Sequence, residues 1–308
     1  LYLKILDENV IVFFRKKPGF AYNYVVILGL SIFYHFFGGV IIVEIEASYN
    51  YFLVALSFLV SAFGSYTGLQ LMRAMRSSQG KSELGWIVAA AFAIGGGAIW
   101  TMHFVGMIAY ETPMKVAYDP VLTFLSLFEA IAVVGIGIFL LSRNKNSLAI
   151  LLIAGMITGL GVATMHYSGM EAMVMAADMK YDDTLFVASV VIALVAATAA
   201  LWLAFNTESG VQMFAASIVM GVAVCGMHYT GMAGMTMVHN GKEVDISSSI
   251  EPLTLGLFIF CFTMLILVLS LIVTLSQLQK RMYEELEDMD DEDEDDDREV
   301  GSAKPYPV

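Results

Sequence analysis

A chain of 308 residues that is 58% hydrophobic, with a mean hydropathy of +0.74, is too apolar for an ordinary soluble domain. Its net charge of −13 belongs almost wholly to one place: thirteen carboxylates and one arginine lie between Glu284 and Glu299, so the rest of the chain sums to −1. Nothing in it resembles a nucleophile triad, a phosphate-binding loop or a nucleic-acid surface, and its two cysteines, Cys225 and Cys261, sit in apolar stretches that indicate no disulfide framework.

Eight stretches are long and apolar enough to cross the roughly 30 Å hydrocarbon core: about 20–43, 50–72, 86–110, 120–141, 148–173, 184–205, 211–236 and 252–276. Pro18, Pro113, Pro120 and Pro252 fall in loops or at helix starts, so no proline interrupts a span. The first stretch follows Arg15, Lys16 and Lys17 as a signal anchor does, and with no small-x-small cleavage site after it we read a retained helix. Thirteen Lys and Arg fall on one side of this topology, and only Lys115, Lys180 and Lys242 on the other. The basic side is expected to be cytoplasmic, with both termini inside a plasma or inner membrane. The expected fold is therefore all-α and integral to the membrane, a seven-helix bundle of three repeated helix pairs with an extra N-terminal helix. Residues 1–46 form the N-terminus and extra helix, 47–278 the seven-helix domain, and 279–308 an acidic cytoplasmic tail that the charge density keeps disordered.

The repeat is written around three histidines. His103, His166 and His228 stand 63 and 62 residues apart, two spans per interval, so all three lie near the outer ends of helices running in one direction. Each is preceded by a methionine (Met102, Met165, Met227) and followed by an aromatic (Phe104, Tyr167, Tyr229), then by Gly-Met at +3 and +4 (Gly106-Met107, Gly169-Met170, Gly231-Met232). A glycine stands seven residues before each, as Gly96, Gly159 and Gly221, and Tyr110, Met173 and Met235 stand at +7. On a helix turning 100° per residue, the −7 glycine, the histidine and the +4 and +7 residues share an arc of about 60°. Three such helices meeting through that stripe, closed by the small −7 residues, would gather three imidazoles and several thioethers. The −1 methionines would flank the cluster.

Imidazole with thioether is a soft, neutral donor set that suits copper, above all Cu(I), better than Mg²⁺ or Ca²⁺. Zinc would recruit cysteine or carboxylate. The competing reading is packing, since methionine fills gaps in cores and a lone His in a membrane helix often only hydrogen-bonds a neighbour. Three copies in register favour the metal, with His103, His166, His228, Met107, Met170, Met232, Met102, Met165 and Met227 as candidate ligands. Haem held by two of the histidines is the lesser cofactor candidate.

The three stretches Met102-His103-Phe104-Val105, Met165-His166-Tyr167-Ser168 and Met227-His228-Tyr229-Thr230 resemble the motifs of the MHYT family of bacterial integral-membrane sensor domains, and residues 53–69 resemble that family's first helix. The likeness covers about residues 50–275. It implies a seven-helix domain with motifs near the outer face, in which His and Met are proposed to bind copper and to sense O₂, CO or NO. Family members often continue into cyclic-dinucleotide or kinase output domains. Here an acidic stretch of about thirty residues follows the last span, so an unidentified protein partner is expected to carry any signal.

Other polar residues stand beside these as candidates. Glu129, mid-span, is a proton-relay or second-shell candidate, against a protonated packing role. Glu171 could orient a ligand histidine, and Cys225 stands three residues before His228. His35 and His239 lack the motif context and read as structural. The functional expectation is a membrane-embedded copper sensor or receptor more than an enzyme. The alternatives are a copper transporter or metallochaperone, or a metal-containing electron-transfer or accessory subunit of a membrane complex. Few ligand residues occupy the inner halves of the motif helices, which disfavours transport.

Overall fold

The computed structural model describes residues 2–7, 10–16, 23–25, 47–77, 83–241 and 245–301. Seven helices organise it: α1 (Tyr51–Ser77), α2 in three continuous segments (Glu83–Ala91, Phe92–Trp100, Thr101–Ala109), α3 (Pro120–Arg143), α4 (Leu148–Glu171), α5 (Asp183–Asn206), α6 (Gly210–Ala233) and α7 (Pro252–Gly301). Each contains a stretch long and apolar enough to span a membrane, and the chain is a multi-pass membrane protein.

Seven such spans, not eight, are found among the described residues. The expected first span at 20–43 lies outside them except for Asn23–Val25, which is extended. That segment is β3, the edge of a three-stranded antiparallel sheet with β1 (Tyr2–Asp7) and β2 (Val10–Lys16). At the other end of the chain, α7 continues unbroken through the boundary drawn at 278 and remains helical to Gly301. A helix satisfies its own backbone, and the glutamates of this stretch, with Gln279, Lys280 and Leu286, are good helix formers that outweigh the weaker aspartates between them.

α1 to α6 form a closed ring, each packed on the next and α6 packed on α1, so the motif helices α2, α4 and α6 occupy alternate places. α7 lies outside the ring against α1 and α2. It is tied to α1 by Gln70, whose Oε1 accepts from Ser270 Oγ at 2.8 Å and whose Nε2 donates to Thr274 Oγ1 at 3.1 Å. Helix starts are fixed by side chains that accept an otherwise unpaired backbone N–H. Asp119 accepts from Leu122, Asp182 from Leu185 and Asn50 from Leu53, and Ser209 forms a reciprocal capping box with Gln212.

The middle segment of α2, Phe92–Trp100, is π-helical and carries Gly95-Gly96-Gly97. Without side chains there, neighbours approach the backbone itself. A Cβ on Gly95 would strike the Ala130 carbonyl of α3, and one on Gly64 of α1 would strike the backbone at Ala98. Thr101 Oγ1 donates to the Gly96 carbonyl at 2.8 Å, which also accepts the Thr101 backbone N–H across the wider turn.

At the motif end three short antiparallel ladders close the bundle. β4 (Ser48–Tyr49) pairs with β5 (Tyr110–Glu111), β6 (Ala117–Tyr118) with β7 (Met173–Val174), and β8 (Ala177–Tyr181) with β9 (Met235–His239). Each joins the strand before an odd-numbered helix to the strand after an even-numbered one. The ring and its cap thus repeat three times about one axis.

Candidate metal centre

The site is built where α2, α4 and α6 converge below the ladders. His103, His166 and His228 are at most 1% exposed, and their Nδ1 atoms form a triangle with edges of 3.1, 3.1 and 3.2 Å. The rings stand nearly perpendicular to one another, at 81° to 87°, with centroids 5.0 Å apart. Among the described residues this is the one grouping of three or more His, Cys, Asp or Glu side chains placed to hold a metal ion.

Three glycines make the convergence possible, and they are not the ones the spacing suggested. His103 Nε2 lies against Gly169, His166 Nε2 against Gly231 and His228 Nε2 against Gly106, so a Cβ on any of the three would overlap a ring. The relation is cyclic: each motif helix receives one neighbour's histidine against its +3 glycine and presents its own histidine to the other neighbour. The −7 glycines were expected to close this seam. They face other helices, Gly96 towards Phe262 of α7, Gly159 towards the backbone at Leu194 of α5, and Gly221 towards Phe58 and Ala62 of α1. Two turns lie between −7 and the histidine, about 10 Å of helix, and at that depth odd-numbered helices and α7 are the neighbours met.

The triangle is frustrated as a set of hydrogen bonds. A neutral imidazole nitrogen either carries a proton and donates, or is bare and accepts. Three mutual contacts cannot be divided into donors and acceptors so that every edge pairs unlike partners. At least one edge always sets N–H against N–H, or lone pair against lone pair. The three Nε2 atoms have no hydrogen-bond partner either. With the protons on Nε2, all three Nδ1 lone pairs face one centre, and a cation there satisfies every edge at once. A point equidistant from the three nitrogens lies about 1.8 Å from each, by edge over √3, and metal–imidazole bonds run near 2.0 Å. Retraction of each ring by about 0.2 Å makes the fit, so the donor set suits a metal.

The six motif methionines, Met102, Met107, Met165, Met170, Met227 and Met232, are at most 2% exposed. They stand one residue or one turn from the histidines along the same helices. Glu171 is exposed, and among the described residues no hydrogen bond joins a carboxylate to a triad nitrogen, so the ring-orienting role considered for it is not observed. Glu129 of α3 touches the motif at one remove: its Oε2 lies 3.2 Å from Ser168 Oγ, two residues past His166. Cys225 stands apart from the triad, and His239 is exposed with its Nδ1 2.8 Å from the Ala176 carbonyl. His35 lies outside the described residues.

A second threefold set surrounds the first. Tyr49, Tyr118 and Tyr181, in the strands ahead of α1, α3 and α5, each pack edge-on against the aromatic that follows a motif histidine. The pairs are Tyr49 with Tyr229 (5.8 Å), Tyr118 with Phe104 (5.8 Å) and Tyr181 with Tyr167 (5.4 Å). Burial holds the Tyr118 phenol well above its ordinary value of 10.0, and burial with a neighbouring phenol or carboxylate does the same to Tyr49 and Tyr181. Eight residues after each tyrosine stands a fully buried serine, Ser57, Ser126 or Ser189. Each serine donates to the carbonyl three residues back and accepts from the motif helix opposite. Ser57 pairs with Tyr229 Oη at 2.9 Å, Ser189 with Tyr167 Oη at 2.6 Å, and Ser126, facing the hydroxyl-less Phe104, with Trp100 Nε1 at 3.1 Å. The pattern Tyr-Asx-x₂-Leu-x₃-Ser at 49–57, 118–126 and 181–189 was readable in the sequence. It went unnoticed because each residue taken singly is ordinary at a helix start.

Comparison with known proteins agrees with this threefold architecture. The profile of the MHYT family, described as a bacterial signalling protein N-terminal repeat, matches at residues 96–154, 159–217 and 221–283, more than half of the chain. The bifunctional diguanylate cyclase/cyclic di-GMP phosphodiesterase MucR of Pseudomonas aeruginosa is 40% identical over 192 residues, 61% of this chain and 28% of MucR. The cyclic di-GMP phosphodiesterase NbdA of the same organism is 35% identical over 218 residues, 68% of this chain and 28% of NbdA. The signaling protein YkoW of Bacillus subtilis is 32% identical over 232 residues, 70% of this chain and 28% of YkoW. The chain thus spans a little over a quarter of the length of each relative. No solved structure matches it.

Proposed function

The chain belongs to the MHYT family of bacterial membrane signalling proteins, and from that premise we propose that it is a sensory input unit whose receptor centre is one copper ion held by His103, His166 and His228. The observation that carries the reading is the buried Nδ1 triangle, whose three edges no assignment of imidazole protons can satisfy together and which a central cation would satisfy with the protons on Nε2. Met107, Met170, Met232, Met102, Met165 and Met227 supply soft surroundings, and any of them one turn or one residue away is available as a further donor.

The choice of Cu(I) follows from charge as well as softness. Among the described residues no carboxylate belongs to the cluster, so three neutral rings leave the ion's charge uncompensated in an apolar layer. The cost of burying charge rises with its square, so a +1 ion is about fourfold cheaper than a +2 ion there. When bound, copper would supply a redox couple or an affinity for O₂, CO or NO. The chain's own residues hold the three Nδ1 atoms about one centre and bury them away from water.

Arg73, Arg76, Arg143 and Lys145 gather at the bundle end away from the motifs, which supports a cytoplasmic assignment for that end and, with it, the reading of the triad as near the outer face. α7 packs on the π-helical segment of α2 and runs out past the opposite end, which makes it the natural route from the triad to an output.

Elemental analysis of the full chain purified in detergent, with X-ray absorption at the copper edge, tests the proposal. We expect one copper per chain with imidazole ligation, lost on His166→Ala. Absence of bound copper, with normal folding after all three histidines are changed to alanine, overturns it.

A further inference from the structure

Inside the ring, on the side of the triad away from the ladders, lies an apolar cavity of about 50 Å³ to which all six ring helices contribute. Its roof is one turn below the triad, because Ile99, Val162 and Val224 each precede a motif histidine by four residues. The void has a local cause. The inward positions of α5 are Ala193, Ala197 and Ala204, whereas the equivalent positions of α3, 63 residues earlier, are Ala130, Val134 and Leu141. Two truncated side chains leave the space.

One wall carries an unexplained polar atom. Ser65 Oγ of α1 is buried and has no hydrogen-bond partner among the described residues. Thr158, the other hydroxyl on the wall, is committed to the Val133 carbonyl at 3.3 Å. An unmade hydrogen bond in an apolar interior is costly and calls for an explanation. Water is a poor occupant, since buried waters make about three hydrogen bonds and this wall offers too few partners. An acyl chain or an aromatic ring is too large for it, the cavity documented to take benzene being about 150 Å³.

We propose that this cavity binds a neutral diatomic molecule, drawn from solution in the bilayer and held one turn beneath the histidine triad, with the Ser65 hydroxyl as its single hydrogen-bond donor. Delivery from there to the triad rests on the metal reading above; the cavity site does not.

Xenon is the probe, because it is a compact apolar atom that enters dry apolar cavities and needs no metal. Xenon NMR on the full chain in detergent, after exhaustive copper chelation, is expected to show a bound resonance that dissolved CO displaces. Ala197→Val with Ala204→Leu copies the filling of α3 and is expected to abolish that resonance. Should the double variant fail to fold, Ala197→Val alone narrows the void and weakens xenon binding. Ser65→Ala keeps the volume, so it retains xenon and lowers the potency of CO as a competitor. No bound xenon in the unmodified chain, a resonance indifferent to filling, or one that CO does not displace overturns the site. Xenon bound and displaced normally in a chain that never takes up copper leaves the cavity standing and removes the metal reading alone.

Discussion

His228 Nε2 rests against the α-carbon of Gly106, so the imidazole of one motif occupies the volume that a side chain would need in another. The same holds for His103 with Gly169 and His166 with Gly231. Histidine and glycine in this repeat are therefore one feature, divided between helices. Gly106→Ala, Gly169→Ala and Gly231→Ala should each destabilise the bundle by about 1–3 kcal/mol, the usual cost of overpacking a close-packed interior, and should each abolish copper retention. Gly226→Ala and Gly256→Ala, whose Cβ would meet nothing within 4 Å, serve as controls and should be neutral or slightly stabilising. Thermal unfolding in detergent with metal analysis on the same samples decides.

The histidines should fail as a unit. His103→Ala, His166→Ala and His228→Ala each remove one corner of the triangle, so each alone should reduce copper retention as far as the triple variant does. Competition titration with a Cu(I) chelator measures this, and additive losses would argue against a shared ion. Met107→Leu, Met170→Leu and Met232→Leu together should weaken Cu(I) retention by no more than about tenfold, roughly 1.4 kcal/mol, because the nitrogens remain.

Copper should also stabilise the fold. A ligand that binds the native state alone raises stability by mass action, about 2.7 kcal/mol at one hundred times its dissociation constant. The unfolding midpoint should rise on loading and fall on chelation in the unmodified chain, and should not respond in His166→Ala. Loading should also weaken as the medium is acidified, since protons compete for the same lone pairs.

The outer serine set predicts a graded result. Tyr229→Phe and Tyr167→Phe each delete a hydroxyl that bonds a buried serine, at a cost of about 1 kcal/mol. The first repeat already carries Phe104 and gives Ser126 the Trp100 indole instead. Trp100→Phe should therefore cost more than either tyrosine change, since it removes the hydrogen bond and opens a gap in the core. Denaturant or thermal midpoints for the three variants test the order.

Tyr118, Tyr49 and Tyr181 supply the pH dependence. Their phenols are held above 10.0 in the folded chain, so the stability this contributes is intact below pH 10. It is lost as the pH rises above 10, where the unfolded chain releases protons that the folded one keeps. Phenolate absorbance for the nearly enclosed Tyr118 should appear together with unfolding, and Tyr118→Phe should lower the steepness of alkaline unfolding.

Much of this could be read from the sequence because the signals were redundant. Span lengths located α1 to α7, and three Met-His pairs at constant spacing put His103, His166 and His228 at one depth. Which face each glycine served was harder, because a helical wheel gives direction but not the neighbour met at a given height. Gly96 and Gly106 lie near the same stripe and touch different helices. The π-helical stretch at Phe92–Trp100 and the two-residue strands fall below what periodicity can detect. The extended segment at Asn23–Val25 sits within residues whose hydropathy alone suggested a span.

Because each repeat contacts the next in the same head-to-tail sense and the third returns to the first, the rotation per repeat is fixed at a third of a turn. Such an arrangement has an arity. Two copies would leave one imidazole facing open lipid and one glycine groove unfilled, and a fourth would find no free edge to join. Gain or loss of a single repeat therefore removes the centre outright instead of scaling it.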